Sequence, residues 1–161
     1  MDESLQLVSP KFVIVQPNFS DIVKEYNKPK IVALLCGGGH AFTKILDIPG
    51  SSKVIESIEI PYGKDALIQL FGEASCSSQM AIRQDDYLFK KYGANYTRIV
   101  VNAALSTWPA RRGEDRAFIV INGVLKKIDF PKNGEATEAE YIFRRNYQNN
   151  FILHQILKVI L

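Results

Sequence analysis

Continuous runs of apolar residues alternate along this chain with segments in which apolar residues recur at helical spacing. The three longest runs are Lys30 to Leu35, Val54 to Ile60 and Thr97 to Ala103. Apolar side chains at nearly every position are typical of strands in a parallel sheet that helices cover on both faces. The runs therefore predict three adjacent strands of one buried sheet. A shorter β-branched run, Phe12 to Gln16, predicts another strand.

Turn and cap residues predict the elements that join these strands. Asn122-Gly123 suits the two positive φ angles of a type I′ turn, so Phe118 to Ile121 and Val124 to Phe130 are predicted as an antiparallel hairpin. Helices are predicted from Ser20 to about Tyr26, His40 to Leu46, Asp65 to Phe71, Ser77 or Ser78 to about Tyr92, and Tyr141 through Val159 behind a Thr137/Glu140 capping box. The predicted fold is an α/β three-layer sandwich with a mixed, mostly parallel sheet and a terminal hairpin.

Composition and charge narrow the class of protein. The chain has 161 residues, 47% of them hydrophobic, which fits one domain spanning residues 1–161, with residues 1–29 as an N-terminal extension packed on it. A net charge of +3, with basic and acidic residues interspersed, gives too weak a field for nucleic-acid binding. Two cysteines and no leader or spanning segment predict a cytoplasmic protein without a membrane partner. No metal-ligand spacing is present, and no metal or cofactor is expected.

The glycine run at the end of the first predicted strand is the first candidate site. Gly37, Gly38 and Gly39 stand between a buried strand and a helix start, where backbone N–H groups can approach a phosphate or carboxylate. A helix dipole there favours an anion by about 0.3 to 1 kcal/mol. A tight strand-to-helix turn would need the same glycines, and neither a Walker nor a Rossmann pattern is present. Both interpretations stay open.

This region resembles the C-terminal domain of the CinA proteins, the nicotinamide-nucleotide amidohydrolases. Their motif reads Glu-Ser-Cys/Thr-Thr-Gly-Gly, then about nine residues, then Pro-Gly-Ser-Ser; here Cys36, Gly38 and Gly39 match its first part and Pro49-Gly50-Ser51-Ser52 its second. Tyr62 matches the tyrosine of the family's Tyr-Ser-Asn-x-x-Lys. The resemblance covers roughly residues 30 to 161. It implies binding of a pyridine nucleotide or another small anion, and assembly as a homo-oligomer.

The chain departs from the family where the chemistry is performed. Leu35 stands at the position of the family's serine and Leu67 at that of the lysine which activates it, and a hydrocarbon side chain can neither attack a carboxamide nor move a proton. The resemblance still implies ligand-binding residues. They are Gly37, Gly38, Gly39, Tyr62, Ser106, Thr107 and one arginine of the last helix, Arg145 or its neighbour Arg144.

Three classes of function follow. The first is a CinA-like domain without catalysis that binds a nucleotide, an anion or another protein. The second is a working nicotinamide-nucleotide deamidase or related amidohydrolase with Cys36, paired with His40, or Ser106 as its nucleophile. The third is an unrelated anion-binding α/β protein. Arg111, Arg112 and Arg116 form either a phosphate clamp or a solvated loop.

Overall fold

The computed structural model describes residues 17–131 and 137–161, which contain a five-stranded sheet. The strands are β1 (Ile31–Cys36), β2 (Ile55–Glu59), β3 (Thr97–Ala104), β4 (Asp115–Ile121) and β5 (Val124–Phe130). Their order is β2-β1-β3-β4-β5, with β1 parallel to both β2 and β3. β4 runs antiparallel to β3 and to β5, so four of the five strands point the same way.

Helices cover both faces of this sheet. They are α1 (Phe19–Glu25), α2 (Lys64–Phe71), α3 (Ser78–Tyr92) and α4 (Glu138–Ile160), with two 3₁₀ helices at His40–Asp47 and Ser51–Lys53. Alternating residues of each strand face opposite sides. On one side, which we call the α4 face, Ala33, Leu35 and Val101 pack with α4, α1 and the first 3₁₀ helix. On the other, the α3 face, Val32, Leu34 and Cys36 pack with α2 and α3.

These observations confirm the three-layer α/β fold with a mixed sheet and a terminal hairpin. The three apolar runs are adjacent strands, and Asn122 and Gly123 take positive φ angles, +48° and +83°, in the hairpin turn. Ser77 caps α3 and Thr137 caps α4, as predicted. The predicted cap of α1 is wrong: the Asn18 side chain, not Ser20, accepts the hydrogen bond from Asp21 N–H.

Three further observations concern the predictions for individual segments. The helix that follows the glycine run is a 3₁₀ helix along its whole length. The predicted strand at Phe12 to Gln16 lies outside the described residues. Within the described residues, no helix is both long enough and apolar enough to cross a membrane.

Candidate functional site

The glycine turn between β1 and the first 3₁₀ helix lies directly against β3. Gly37 and Gly39 have positive φ angles of +79° and +83°. A Cβ on Gly37 would come within 2.1 Å of the Ala103 carbonyl oxygen, and Cβ atoms on Gly38 and Gly39 would meet β3 or Leu105 side chains at 2.9 Å. Real Cβ contacts are never that short. Packing against the neighbouring strand therefore accounts for all three glycines.

Helix α4 supplies a hydrogen-bond partner for the turn. Gly39 N–H donates to Asn149 Oδ1 at 2.7 Å, and Asn149 Nδ2 lies 3.5 Å from His40 Nε2. Burial lowers the pKa of His40, and the positive charges of Arg145 and Lys44 lower it further. His40 is thus held towards its neutral form in a locally positive setting, although it is an exposed residue.

The same helix also holds the loop that follows β3. Ser106 N–H donates to Gln148 Oε1 at 2.8 Å, and Gln148 Nε2 donates to Asp115 Oδ2 at 3.1 Å. One Arg145 N–H donates to the Ser106 carbonyl oxygen at 3.0 Å. We call Arg145, Gln148 and Asn149 the α4 clasp, because together they fasten the glycine turn and this loop to one helix.

The clasp brings together several of the residues predicted to bind a ligand. Gly39, Ser106 and Arg145 lie together at the clasp. Their N–H groups form hydrogen bonds with other residues of the protein, and Ser106 is buried. Thr107 is half-buried on the same loop. Tyr62 follows β2 with 72% of its surface exposed, so its ring does not wall an enclosed pocket in this structure.

Two of the three arginines of the predicted phosphate clamp bind the protein's own oxygens. Arg111 donates to the Leu105 carbonyl oxygen and to Asp115 Oδ1. Arg116 donates to the carbonyl oxygens of Glu114 and Cys76, both at 2.9 Å. These bonds differ from both predicted interpretations, a phosphate clamp and a solvated loop, because Arg111 and Arg116 order the connection between β3 and β4.

Cys36 lies on the other side of the sheet from the clasp. It is buried on the α3 face, and its strand partner Asn102 accepts a hydrogen bond from the Cys76 thiol at 3.6 Å. Burial raises the pKa of the Cys36 thiol, while the nearby Gln84 amide acts in the opposite direction. The His40 ring, predicted to pair with Cys36, instead lies beside Asn149 of α4, and among the bonds of the described residues none joins it to Cys36.

The two leucines that the sequence comparison predicted at the family's catalytic positions are also separated by the sheet. Leu35 belongs to the core on the α4 face and Leu67 to the core on the α3 face. Because side chains alternate along β1, Leu34 and Cys36 share the side of Leu67, and Leu35 does not. Both leucines are buried hydrocarbon in this fold.

Sequence reasoning missed the polar residues that organise both faces. Gln148 and Asn149 lie in the polar stretch from Arg144 to Asn150, so the sequence contains no sign that these two residues are buried. Gln84 is fully buried on α3, and within the described residues neither its amide nitrogen nor its oxygen has a hydrogen-bond partner. The sequence gives no sign of this burial either, because polar residues also surround Gln84.

Comparison with solved structures identifies the fold. The chain is similar to a competence-damaged protein (CinA) superfamily protein from Escherichia coli, with 12% identity, a TM-score of 0.63 and coverage of 91% of this chain and 95% of that one. A superfamily member from Enterobacter cloacae gives 9% identity, a TM-score of 0.64 and coverage of 96% and 99%. The competence/damage inducible protein CihA from Agrobacterium tumefaciens gives 15% identity, a TM-score of 0.59 and coverage of 89% and 97%.

The chain therefore has a CinA-like α/β fold over nearly its whole length and over nearly the whole of those structures. No protein-family model matches the sequence, and no curated protein is significantly similar to it. At 9 to 15% identity the likeness defines the fold and leaves the activity to be argued from the residues.

Proposed function

We propose that this chain is a CinA-like domain without amidohydrolase activity that acts as a binding module. The observation that carries the proposal is the placement of Leu35 and Leu67, buried in separate cores on opposite faces of the sheet. Neither side chain can act as nucleophile or base.

The hydrogen bonds of the α4 clasp favour one kind of binding partner over another. The N–H groups of Gly39 and Ser106 are already paired with Asn149 and Gln148. A nucleotide or other anion at the turn would have to displace these side chains, which favours a protein partner. Three apolar side chains close in sequence to Ser106 and Arg145 are exposed, namely Trp108, Ile142 and Phe143, and we take them as the residues that a partner would contact. A second copy of the chain is the first partner to test.

The test combines an activity assay with two binding measurements on the purified chain. We expect no ammonia release from nicotinamide mononucleotide above background, because loss of a catalytic group in a hydrolase costs about 10⁴ to 10⁶ in rate. Light scattering at several concentrations measures self-association. A thermal-shift titration measures nucleotide binding, since a ligand at 100 times its Kd adds about 2.7 kcal/mol of stability. Robust ammonia release would overturn the proposal.

A cysteine amidohydrolase is the second candidate function, and one observation favours it. The buried Gln84 amide lies beside Cys36 with no hydrogen-bond partner among the described residues, and an amide of this kind can bind a substrate carboxamide. Turnover that disappears in Cys36→Ala and survives in Cys76→Ala would establish this activity. Turnover lost only in Ser106→Ala would assign the nucleophile to the loop after β3.

A further inference from the structure

The chain's two cysteines come from distant segments of the sequence and lie on the same face of the sheet. Cys36 ends β1 in the buried core of the α3 face, and Cys76 packs against that core from the connection between α2 and α3. Both are free thiols. They meet at Asn102 of β3, which pairs with Cys36 in the parallel register and whose carbonyl oxygen accepts a hydrogen bond from the Cys76 thiol at 3.6 Å. The fold therefore brings both thiols to one end of the sheet.

Two further hydrogen bonds fix the backbone that carries Cys76. Asn102 Nδ2 donates to the Ser75 carbonyl oxygen at 3.2 Å, and one Arg116 N–H donates to the Cys76 carbonyl oxygen at 2.9 Å. The Cys76 side chain is half-buried, so its thiol is partly accessible to small molecules. Groups that are already held near each other react with little further loss of entropy, which favours a reaction between the two thiols.

Gln84 supplies a hydrogen-bond donor beside the more buried of the two thiols. Its side chain is fully buried, and neither of its amide atoms has a hydrogen-bond partner among the described residues. Burial raises the pKa of the Cys36 thiol, and the Gln84 amide acts to lower it, which an amide does by donating an N–H to the thiolate. The unpaired donor thus gains a partner when Cys36 ionises, and the thiolate is the form that attacks a disulfide.

We propose that Cys36 and Cys76 form a redox-active dithiol site that exchanges with small disulfides. The Cys76 thiolate attacks one sulfur of the small disulfide, which forms a mixed disulfide and releases one small thiol. The Cys36 thiolate then attacks Cys76 Sγ, which forms the internal disulfide and releases the second small thiol. Two protons and two electrons pass from the protein to the small disulfide, and a small dithiol reverses both steps. The site lies across the sheet from the α4 clasp, so this chemistry is separate from the binding proposed there.

Oxidised glutathione is the probe, in a mildly alkaline buffer because burial raises the pKa of both thiols. Mass spectrometry of the full chain should show a monomer lighter by two hydrogen atoms, and peptide mapping should join Cys36 to Cys76. Because unfolded chains with two thiols are oxidised too, the decisive comparison is between folded and unfolded protein. Against one glutathione redox couple, the ratio of oxidised to reduced chain should be at least about 10-fold higher in native buffer than in urea, since folding raises the effective concentration of one thiol at the other.

Variants separate the two steps of the reaction. Cys36→Ser should stop at the mixed disulfide on Cys76. Gln84→Met should slow the second step by about threefold to tenfold, because the loss of Cys36 thiolate is partly offset by the greater nucleophilicity of what remains, and the mixed disulfide should accumulate. Gln79→Met is the matched control, an exposed position of the same helix, and should leave both rates within about twofold.

Three outcomes would overturn the proposal. They are an equal ratio of oxidised to reduced chain in native buffer and in urea, a disulfide that forms only between two copies and doubles the mass, and a mixed disulfide that persists in the unmodified chain. An unchanged second step in Gln84→Met would overturn the part assigned to Gln84. The measurements on the unmodified chain stand even where a variant fails to fold.

Discussion

Two buried glutamines show how the environment of a single side chain decides its effect on stability. Gln148 uses both ends of its amide, accepting from Ser106 N–H and donating to Asp115. Gln84 is at least as buried, but neither of its amide atoms has a partner in the described part of the chain. Satisfied amides contribute modestly to stability, and unsatisfied ones cost the full desolvation penalty.

The same substitution should therefore have opposite effects at these two positions. Gln84→Met replaces an unsatisfied amide with a side chain of similar size, and we expect a gain of about 1 to 2 kcal/mol in the free energy of unfolding. Gln148→Met leaves Ser106 N–H and Asp115 without their partner and should cost about 2 to 3 kcal/mol. Urea unfolding measures both changes. A loss of stability in Gln84→Met would show that a water or ligand pairs with the amide, which would strengthen the case for the cysteine hydrolase.

Gly37 offers a test of why the chain has glycine at the end of β1. Gly37→Ala combines a positive φ with a Cβ driven into the Ala103 carbonyl oxygen, so we expect a loss of about 3 kcal/mol or more in the free energy of unfolding. Gly113→Ala is the matched control, because its nearest atom would lie 3.7 Å away, and it should change stability by less than about 1 kcal/mol. Equal effects in a denaturant titration would contradict the packing explanation of the glycine run.

At the scale of elements, α3 is fastened to the edge strand β2 by one carboxylate. Glu59 accepts hydrogen bonds from Tyr87 at 2.7 Å, Tyr92 at 2.9 Å and Lys91 at 3.2 Å. Burial acts to raise the pKa of Glu59, but these bonds outweigh it and hold the pKa below its usual value. The ionised form is thus favoured by folding.

The sign of the resulting pH dependence follows from this lowered pKa. The stabilisation is fully present above the pKa of Glu59 in the unfolded chain, about 4.3, and is lost as the pH falls through the lower pKa of the folded state. Glu59→Gln should lower the free energy of unfolding by about 1 to 2 kcal/mol at pH 7 and by much less at pH 3. Urea titrations across this range measure the difference. Glu56→Gln is the control on the same strand, since its ion pair with Lys30 is 3.7 Å long and exposed, and a pH profile identical to that of Glu59→Gln would refute the assignment.

Local signals predicted most of the elements, because the residues that determine them lie close together in the sequence. The Asn122-Gly123 turn and the Thr137 cap depend on contacts within three residues, and the apolar runs report burial directly. The α4 clasp could not be predicted in this way. Its bonds join Gly39 to Asn149 across 110 positions and Ser106 to Gln148 across 42, so only the packed fold brings these residues together.

At the scale of the whole molecule, the sheet decides which residues can act together. In the sequence motif along β1, Leu35, Cys36 and the glycines are neighbours. Because successive side chains of a strand point to opposite faces, Leu35 lies on the α4 face and Cys36 on the α3 face. For this reason Leu35→Ser with Leu67→Lys would put a serine and a lysine into two separate cores. Restoring the family's residue types at these positions would therefore not restore a catalytic pair.

Amide hydrogen exchange tests this architecture and the clasp together. β1 is buried along its length and bonded to strands on both sides, so its amides should exchange only through global unfolding, with those of β3. Amides of Val124 and Leu125 on the exposed edge strand β5 should exchange much faster.

The clasp adds a prediction that the strands alone do not make. Gly39 N–H lies in a turn, where amides ordinarily exchange fast, yet its bond to Asn149 should slow its exchange by at least about 100-fold. Asn149→Ala should remove this protection and leave β1 protected, whereas Asn150→Ala, one residue further along α4, should leave Gly39 unchanged. Rapid exchange at Gly39 in the unmodified chain would mean that its N–H group is not bonded to Asn149 in solution. An anion site at the glycine run would then become the better interpretation, and nucleotide binding would take precedence over a protein partner.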